Sequence, residues 1–176
     1  MRTITTEQTV YTFDELSEFA KETARDWYRD GMEHDDWTGR DAIESRNAFL
    51  REFNAEFRRG NQCSIRVDGG YANEDDISEL SYVRLWKYLN ANHADCISKI
   101  GNCQFTGTSW DEILLDGMAE FMRKPYRVDF KSLLYSCCED LRIAVENEFD
   151  YQNSDEAVDE SIRCNEYEFT ENGRIA

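Results

Sequence analysis

At 176 residues, with 40% hydrophobic and 13% aromatic positions, the chain can bury a core of its own, which excludes a disordered acidic tail as the whole of it. One proline and nine glycines exclude collagen-like, proline-rich and glycine-linker architectures. Twenty basic and 37 acidic residues leave a net charge of −17, the wrong sign for a protein that tracks phosphates, so no direct nucleic-acid binding is expected.

In chain order, residues 2–11 read as a threonine-rich strand carrying Ile4, Val10 and Tyr11. Thr12 and Glu15 form a capping box, with Tyr11 and Leu16 as its staple, so a helix is expected to start there. Leu16, Phe19, Ala20, Ala24, Trp27 and Tyr28 form its apolar stripe. Its other face pairs Glu18 with Lys21, Glu22 with Arg25 and Asp26 with Arg29, and reads as solvated. A second helix is expected over Asp41–Arg59, with Ala42, Ile43, Arg46, Phe49, Leu50, Phe53 and Phe57 at helical spacing and Gly60 as its stop. Residues 62–67 alternate as a short strand, followed by an Asp68-Gly69-Gly70 turn.

A third helix is expected over 75–91, with Ile77, Leu80, Leu85, Trp86 and Leu89 inward. From His93 to Thr108 the pattern allows a loop and a short strand around Cys103–Phe105. Ser109 and Glu112 make a second capping box, opening a helix from Trp110 to Lys124 that Pro125 ends. Its inner side holds Ile113, Leu114, Met118, Phe121 and Met122. A long helix over Phe130–Phe149 places Leu134, Cys138, Leu141, Val145 and Phe149 on one side. Ser154 caps a short helix over 155–164, with Val158 and Ile162 inward. Tyr167 and Phe169 alternate as a strand before an Asn172-Gly173 turn. The expected fold is α+β, with five or six helices around a small, mainly antiparallel sheet that includes both terminal strands. Residues 1–176 are read as a single acidic domain.

The charge is uneven. Residues 139–171 hold 12 acidic residues against Arg142 and Arg163. Asp155, Glu156, Asp159 and Glu160 share a helix face away from Val158 and Ile162. Such a cluster is either a solvated face or an anionic surface that docks a basic groove, where carboxylates compete with phosphates for Lys and Arg. Glu139, Asp140 and Glu146 extend this candidate partner surface, and Trp37 and Trp110 are the tryptophans outside the apolar stripes.

Chemistry-bearing constellations are sparse. His93, Cys96 and Cys103, with Cys63 as a fourth ligand, offer zinc-type donors, but not as repeated C-x₂-C pairs; buried free thiols are the competing reading. Glu33-His34-Asp35-Asp36 reads as a polar loop before a metal site. No G-x-S-x-G, P-loop or G-x-G-x-x-G occurs, so no catalytic residue, metal or cofactor is assigned and no enzyme is expected. No run approaches a membrane span. MRTITTEQTVYTF lacks the apolar core of a secretory signal, so the cytoplasm, with reduced thiols, is the expected location.

Two segments carry a family resemblance. TVYTFDELSEFAKETARDWYRDG, residues 9–31, and SDEAVDESIRCNEYEFTENGR, residues 154–174, resemble the two ends of a family of small phage and prophage proteins. Many of these are labelled antitoxins of toxin–antitoxin stability systems. The middle of the chain departs from the pattern apart from an echo in CQFTG, Cys103–Gly107. The resemblance implies an accessory protein of a mobile element in a bacterial cytoplasm. With the charge map, it gives the expectation of a non-enzymatic binding protein that inhibits or modulates a bacterial host protein. An anti-CRISPR or other anti-defence inhibitor, bound to a nucleic-acid-binding defence complex, is its sharpest form. The alternatives are an antitoxin bound to its cognate toxin, and a small enzyme with a Cys/His or metal centre. Pairing of the N- and C-terminal strands in one sheet would give both matching segments a structural role.

Overall fold

The computed structural model describes residues 8–32, 37–58, 61–67, 82–99, 101 and 103–176. Within 1–176 two compact units are distinguishable: residues 1–36 with 147–176, and residues 37–146. Of the two boundaries, the one between residues 146 and 147 falls within a helix.

The first unit is built by the two ends of the chain. Strand β1 (Tyr11–Thr12) pairs antiparallel with β4 (Glu168–Phe169), Tyr11 opposite Phe169 and Thr12 opposite Glu168. The expected pairing of the terminal strands is therefore present. Of the long strand expected over residues 2–11 only Tyr11 belongs to it: 8–10 are not strand, and 2–7 lie outside the described residues. The Glu15 carboxylate accepts from the Thr12 backbone N–H and hydroxyl, both at 2.8 Å, but the box opens a single 3₁₀ turn (Phe13–Glu15). Leu16 turns extended, and helix α1 (Glu18–Met32) starts afresh, its Ala20 N–H donating to Ser17 Oγ at 3.3 Å. That offset rotates the stripe. Ala20 and Ala24 are buried, whereas Phe19, expected inward, is 83% exposed.

Helix α7 (Asp155–Cys164) has the expected cap, Ser154 Oγ accepting from Ala157 N–H at 3.3 Å. Val158 and Ile162 join Phe13, Leu16, Ala20, Ala24 and Phe169 in this unit's core. Trp27 meets Tyr167 and Phe169 edge-on, at 5.1 and 5.9 Å between ring centres. The Asn172-Gly173 turn closes the chain, Gly173 N–H donating to Thr170 O at 2.9 Å and Thr170 N–H to Arg174 O at 2.8 Å. Gly173 has φ +78°, and a β-carbon there would lie 1.9 Å from the carbonyl oxygen of Ala20. Glycine lets the turn lie directly on the α1 backbone.

The second unit is mainly helical. It contains α2 (Trp37–Glu52), the hairpin β2 (Ala55–Arg58) and β3 (Asn61–Val67), α3 (Tyr82–Asn92), the short α4 (Ala94–Ile97), and α5 (Trp110–Arg123). The last helix, α6 (Phe130–Gln152), begins in this unit. Phe49 and Leu50 of α2, Phe53 in the turn after it, Leu85 and Leu89 of α3, Leu114, Met118 and Phe121 of α5, and Leu133, Leu134 and Leu141 of α6 make its core. Phe149 at the far end of α6, expected inward, is exposed.

The second helix is shorter than its periodicity suggests. Asn54 takes φ +52° and ends it, and Phe57 instead pairs opposite Ile65 in the hairpin. Phe53 and Phe57 fit a helical spacing of four as well as an alternating strand entered from Ala55, so only pairing with β3 separates the two. Gly60, the Asp68-Gly69-Gly70 turn, Ile77 and Leu80 lie outside the described residues. Cys103–Phe105 is not a strand: Gln104 and Phe105 form a turn and Cys103 has no regular structure. The class is α+β as expected. Among the described residues, however, seven α-helices accompany two separate two-stranded antiparallel sheets rather than surrounding one.

Candidate interaction surfaces

The acidic face of α7 is divided by the arginines of α1. Arg25 clamps Asp159 through two hydrogen bonds, Nε at 2.6 Å and a terminal nitrogen at 2.8 Å. Arg29 reaches Asp155 at 2.5 Å and the Asn153 carbonyl at 3.1 Å. The side chains of Arg25 and Asp159 are only 13% and 15% exposed. The Arg25 hydrogen bonds hold the Asp159 carboxyl below the usual carboxylate range, and Asp159 in turn raises the Arg25 guanidinium above its ordinary value. Arg25 also lies over the Phe13 ring at 5.8 Å, and Arg163, over the same ring at 5.3 Å, donates to Asp14 at 2.9 Å. The face of α1 expected to be solvated is thus in part a helix–helix contact. Its i,i+3 pairs do form, Lys21–Glu18 at 3.0 Å and Arg25–Glu22 at 3.1 Å, but Arg25 and Arg29 also face α7.

Of the four candidate carboxylates on α7, Asp155 and Asp159 therefore serve inside the unit. Glu156 and Glu160 are exposed and have no ion pair among the described residues. On α6, Glu139 and Glu146 both hold Arg142, Glu139 at 2.7 Å. Asp140 is exposed; its carboxyl is raised by partial burial and by the neighbouring charges of Glu139 and Glu120. Trp110 packs half-buried against the core of the second unit, which makes it a wall of that core. Trp37 is the first residue of α2, and its side chain lies outside the described residues.

Two polar sites in the second unit were not visible as such in the sequence. Ser109 makes no side-chain cap, and the Glu112 carboxylate accepts from the Cys103 thiol at 3.6 Å instead of completing a box. The fully buried Asp111 takes over. One of its carboxylate oxygens accepts from three successive backbone N–H groups, Phe105 and Thr106 at 2.8 Å and Gly107 at 3.2 Å; the other accepts from the Thr106 hydroxyl at 3.0 Å. Buried Ser45 joins this network through Thr106 and Thr108, at 2.7 and 2.9 Å. These bonds keep the Asp111 carboxyl below its usual range despite burial. The CQFTG segment therefore folds as a nest of amides around an internal carboxylate.

The second polar site is His93, buried, with Nδ1 3.1 Å from a Glu52 carboxylate oxygen and Nε2 3.5 Å from the Tyr88 hydroxyl. No three His, Cys, Asp or Glu side chains among the described residues stand together as metal ligands; the side chains of Cys63 and His34 lie outside them. Burial raises the Cys96 thiol to about 11 and the Cys138 thiol to about 12, and it also raises Cys103 and Cys137. Thiols held in this way are not poised as nucleophiles at neutral pH.

No helix among the described residues is long and apolar enough to cross a membrane. Compared with protein-family models, curated proteins and solved structures, the chain matches none.

Proposed function

We propose that the chain is a non-enzymatic binding protein, derived from a phage or other mobile element, that inhibits or modulates a bacterial host protein in the cytoplasm. Inhibition of a CRISPR or other defence complex is its sharpest form. The observation that carries this reading is the concentration of charge in the unit built by the chain ends. Residues 1–36 and 147–176 hold 19 acidic and 6 basic residues, 13 of the 17 net negative charges. Asp155 and Asp159 lock α7 onto α1, while Glu156 and Glu160 face outward on a helix held rigid by that lock. Fixed carboxylates of this kind suit a basic groove, with association steered by charge and weakened by salt. The raised thiols of Cys96, Cys103, Cys137 and Cys138 weigh against any of these four as a catalytic nucleophile.

The test uses the tagged chain as bait in a bacterial lysate containing defence systems, beside the Glu156→Gln/Glu160→Gln double variant. The expected partner is nucleic-acid-binding, is released as salt rises, and is not retained by the variant. A partner held at high salt by both baits moves the interface away from α7. Capture of nothing overturns the binding-protein reading. The terminal resemblance also favours a second reading, an antitoxin, for which a small toxin gene adjacent to this one is the discriminating observation.

A further inference from the structure

A cleft of about 290 Å³ opens between α2 and α6, at the lower end of the size range of small-ligand sites. Its walls are apolar: Ala42 and the half-exposed Ile43 from α2, and Cys138, Leu141 and Val145 from α6. Among the described residues one unneutralised cation lines it. The guanidinium of Arg46 lies over the Phe57 ring at 4.9 Å, and a terminal nitrogen reaches only its neighbour Asn47, at 3.4 Å. Its Nε is buried and has no hydrogen-bond partner, and no carboxylate among the described residues pairs with it. The guanidinium charge is thus without a counter-ion among the described residues, and a carboxylate entering the cleft beside it would supply one.

The other charges constrain that acceptor. Arg142, also lining the cleft, is held by Glu139 and Glu146, and Glu146 itself lines the cleft. Among the described residues a doubly charged phosphate would meet this carboxylate with one free cation to offset it, whereas a monoanion matches Arg46. The nearest thiol, Cys138, is raised to about 12 by burial, so capture there is non-covalent.

We propose that the α2–α6 cleft binds a small amphipathic monocarboxylate, its carboxylate on Arg46 and its hydrocarbon against Ala42, Ile43, Leu141 and Val145. This site is independent of the acidic surface of α7 and stands or falls separately from the proposed function.

The test titrates the full chain with octanoate and with octanol, which has the same hydrocarbon but a neutral head. Calorimetry and backbone amide shifts are the readouts. Octanoate is expected to saturate, to move the amides of Ala42, Ile43, Leu141 and Val145, and to bind about tenfold more tightly than octanol, the worth of a charge-assisted hydrogen bond. In Arg46→Met that preference disappears. In Ala42→Leu, which fills the cleft, both ligands weaken together. Absence of saturable octanoate binding, equal binding of the two ligands by the native chain, or an undiminished preference in Arg46→Met overturns the proposal. The native comparison decides even if a variant fails to fold.

Discussion

The contact between Gly173 and α1 permits a test with an internal control. In Gly173→Ala the new β-carbon would lie 1.9 Å from the Ala20 carbonyl oxygen, 2.7 Å from its carbon and 3.0 Å from Cα. All three are backbone atoms of a helix, so no rotamer change relieves the overlap. An ordinary contact needs roughly 1.5 Å of separation between the C-terminal turn and α1, and Phe169 sits in the strand that would have to move with it. Two costs add: about 1–2 kcal/mol for an L-residue at positive φ, and about 1–3 kcal/mol for overpacking. The expected loss is therefore about 2–5 kcal/mol, concentrated in the unit formed by the chain ends. Gly101→Ala isolates the first cost, because Gly101 has φ +93° and no atom of the described residues lies within 4 Å of the added carbon. Urea titrations followed by amide resonances of Ala24 and Val158 read that unit, and those of Leu89 and Met118 read the unit that holds Gly101. A Gly173→Ala loss within about 0.5 kcal/mol of the Gly101→Ala loss would refute the close approach as the reason for glycine here.

Asp159→Asn should destabilise the end-built unit by about 1.5–3 kcal/mol through the loss of a charge-assisted pair. Because the folded Asp159 carboxyl lies below its unfolded value, its contribution is complete above the usual aspartate range and is lost as pH falls through the lowered value, so acid melts of the variant should show a flatter pH dependence there. Asp111→Ala strips three backbone amides of their acceptor; a loss of about 3 kcal/mol or more is expected, with faster hydrogen exchange at Phe105, Thr106 and Gly107. Phe19→Ser should change stability by less than about 0.5 kcal/mol, while Leu16→Ala three residues earlier should cost about 2–5 kcal/mol in the same denaturation assay. Among the five cysteines whose side chains are described, a thiol-specific reagent at pH 8 should label exposed Cys164 before Cys96, Cys137 and Cys138, as mass spectrometry of the native protein would report.

The elements legible in the sequence are those set by neighbours within about one turn. Ser154 before an acidic first turn, Pro125 after Lys124, and the spacing of Leu134, Cys138 and Leu141 each specify a helix whatever surrounds it. The α+β class and the pairing of the terminal strands also followed from local pattern and from the order of the segments. What tertiary structure alone decided lies beyond that range. Phe57 belongs to a strand because Ile65 is there to pair with it. Phe19 faces outward because a one-turn 3₁₀ segment resets the phase before α1. Asp111 rather than Ser109 organises the loop before α5, since three amides converge on one buried carboxylate. The acidic face of α7 is the clearest case. Asp155 and Asp159 are indistinguishable from Glu156 and Glu160 in sequence. Arg25 lies 134 positions from Asp159, and only the packing of α1 on α7 chose which carboxylates were neutralised and which were left facing outward. Charge in a sequence fixes how much must be compensated; the partner of each charge is set by which helix faces meet.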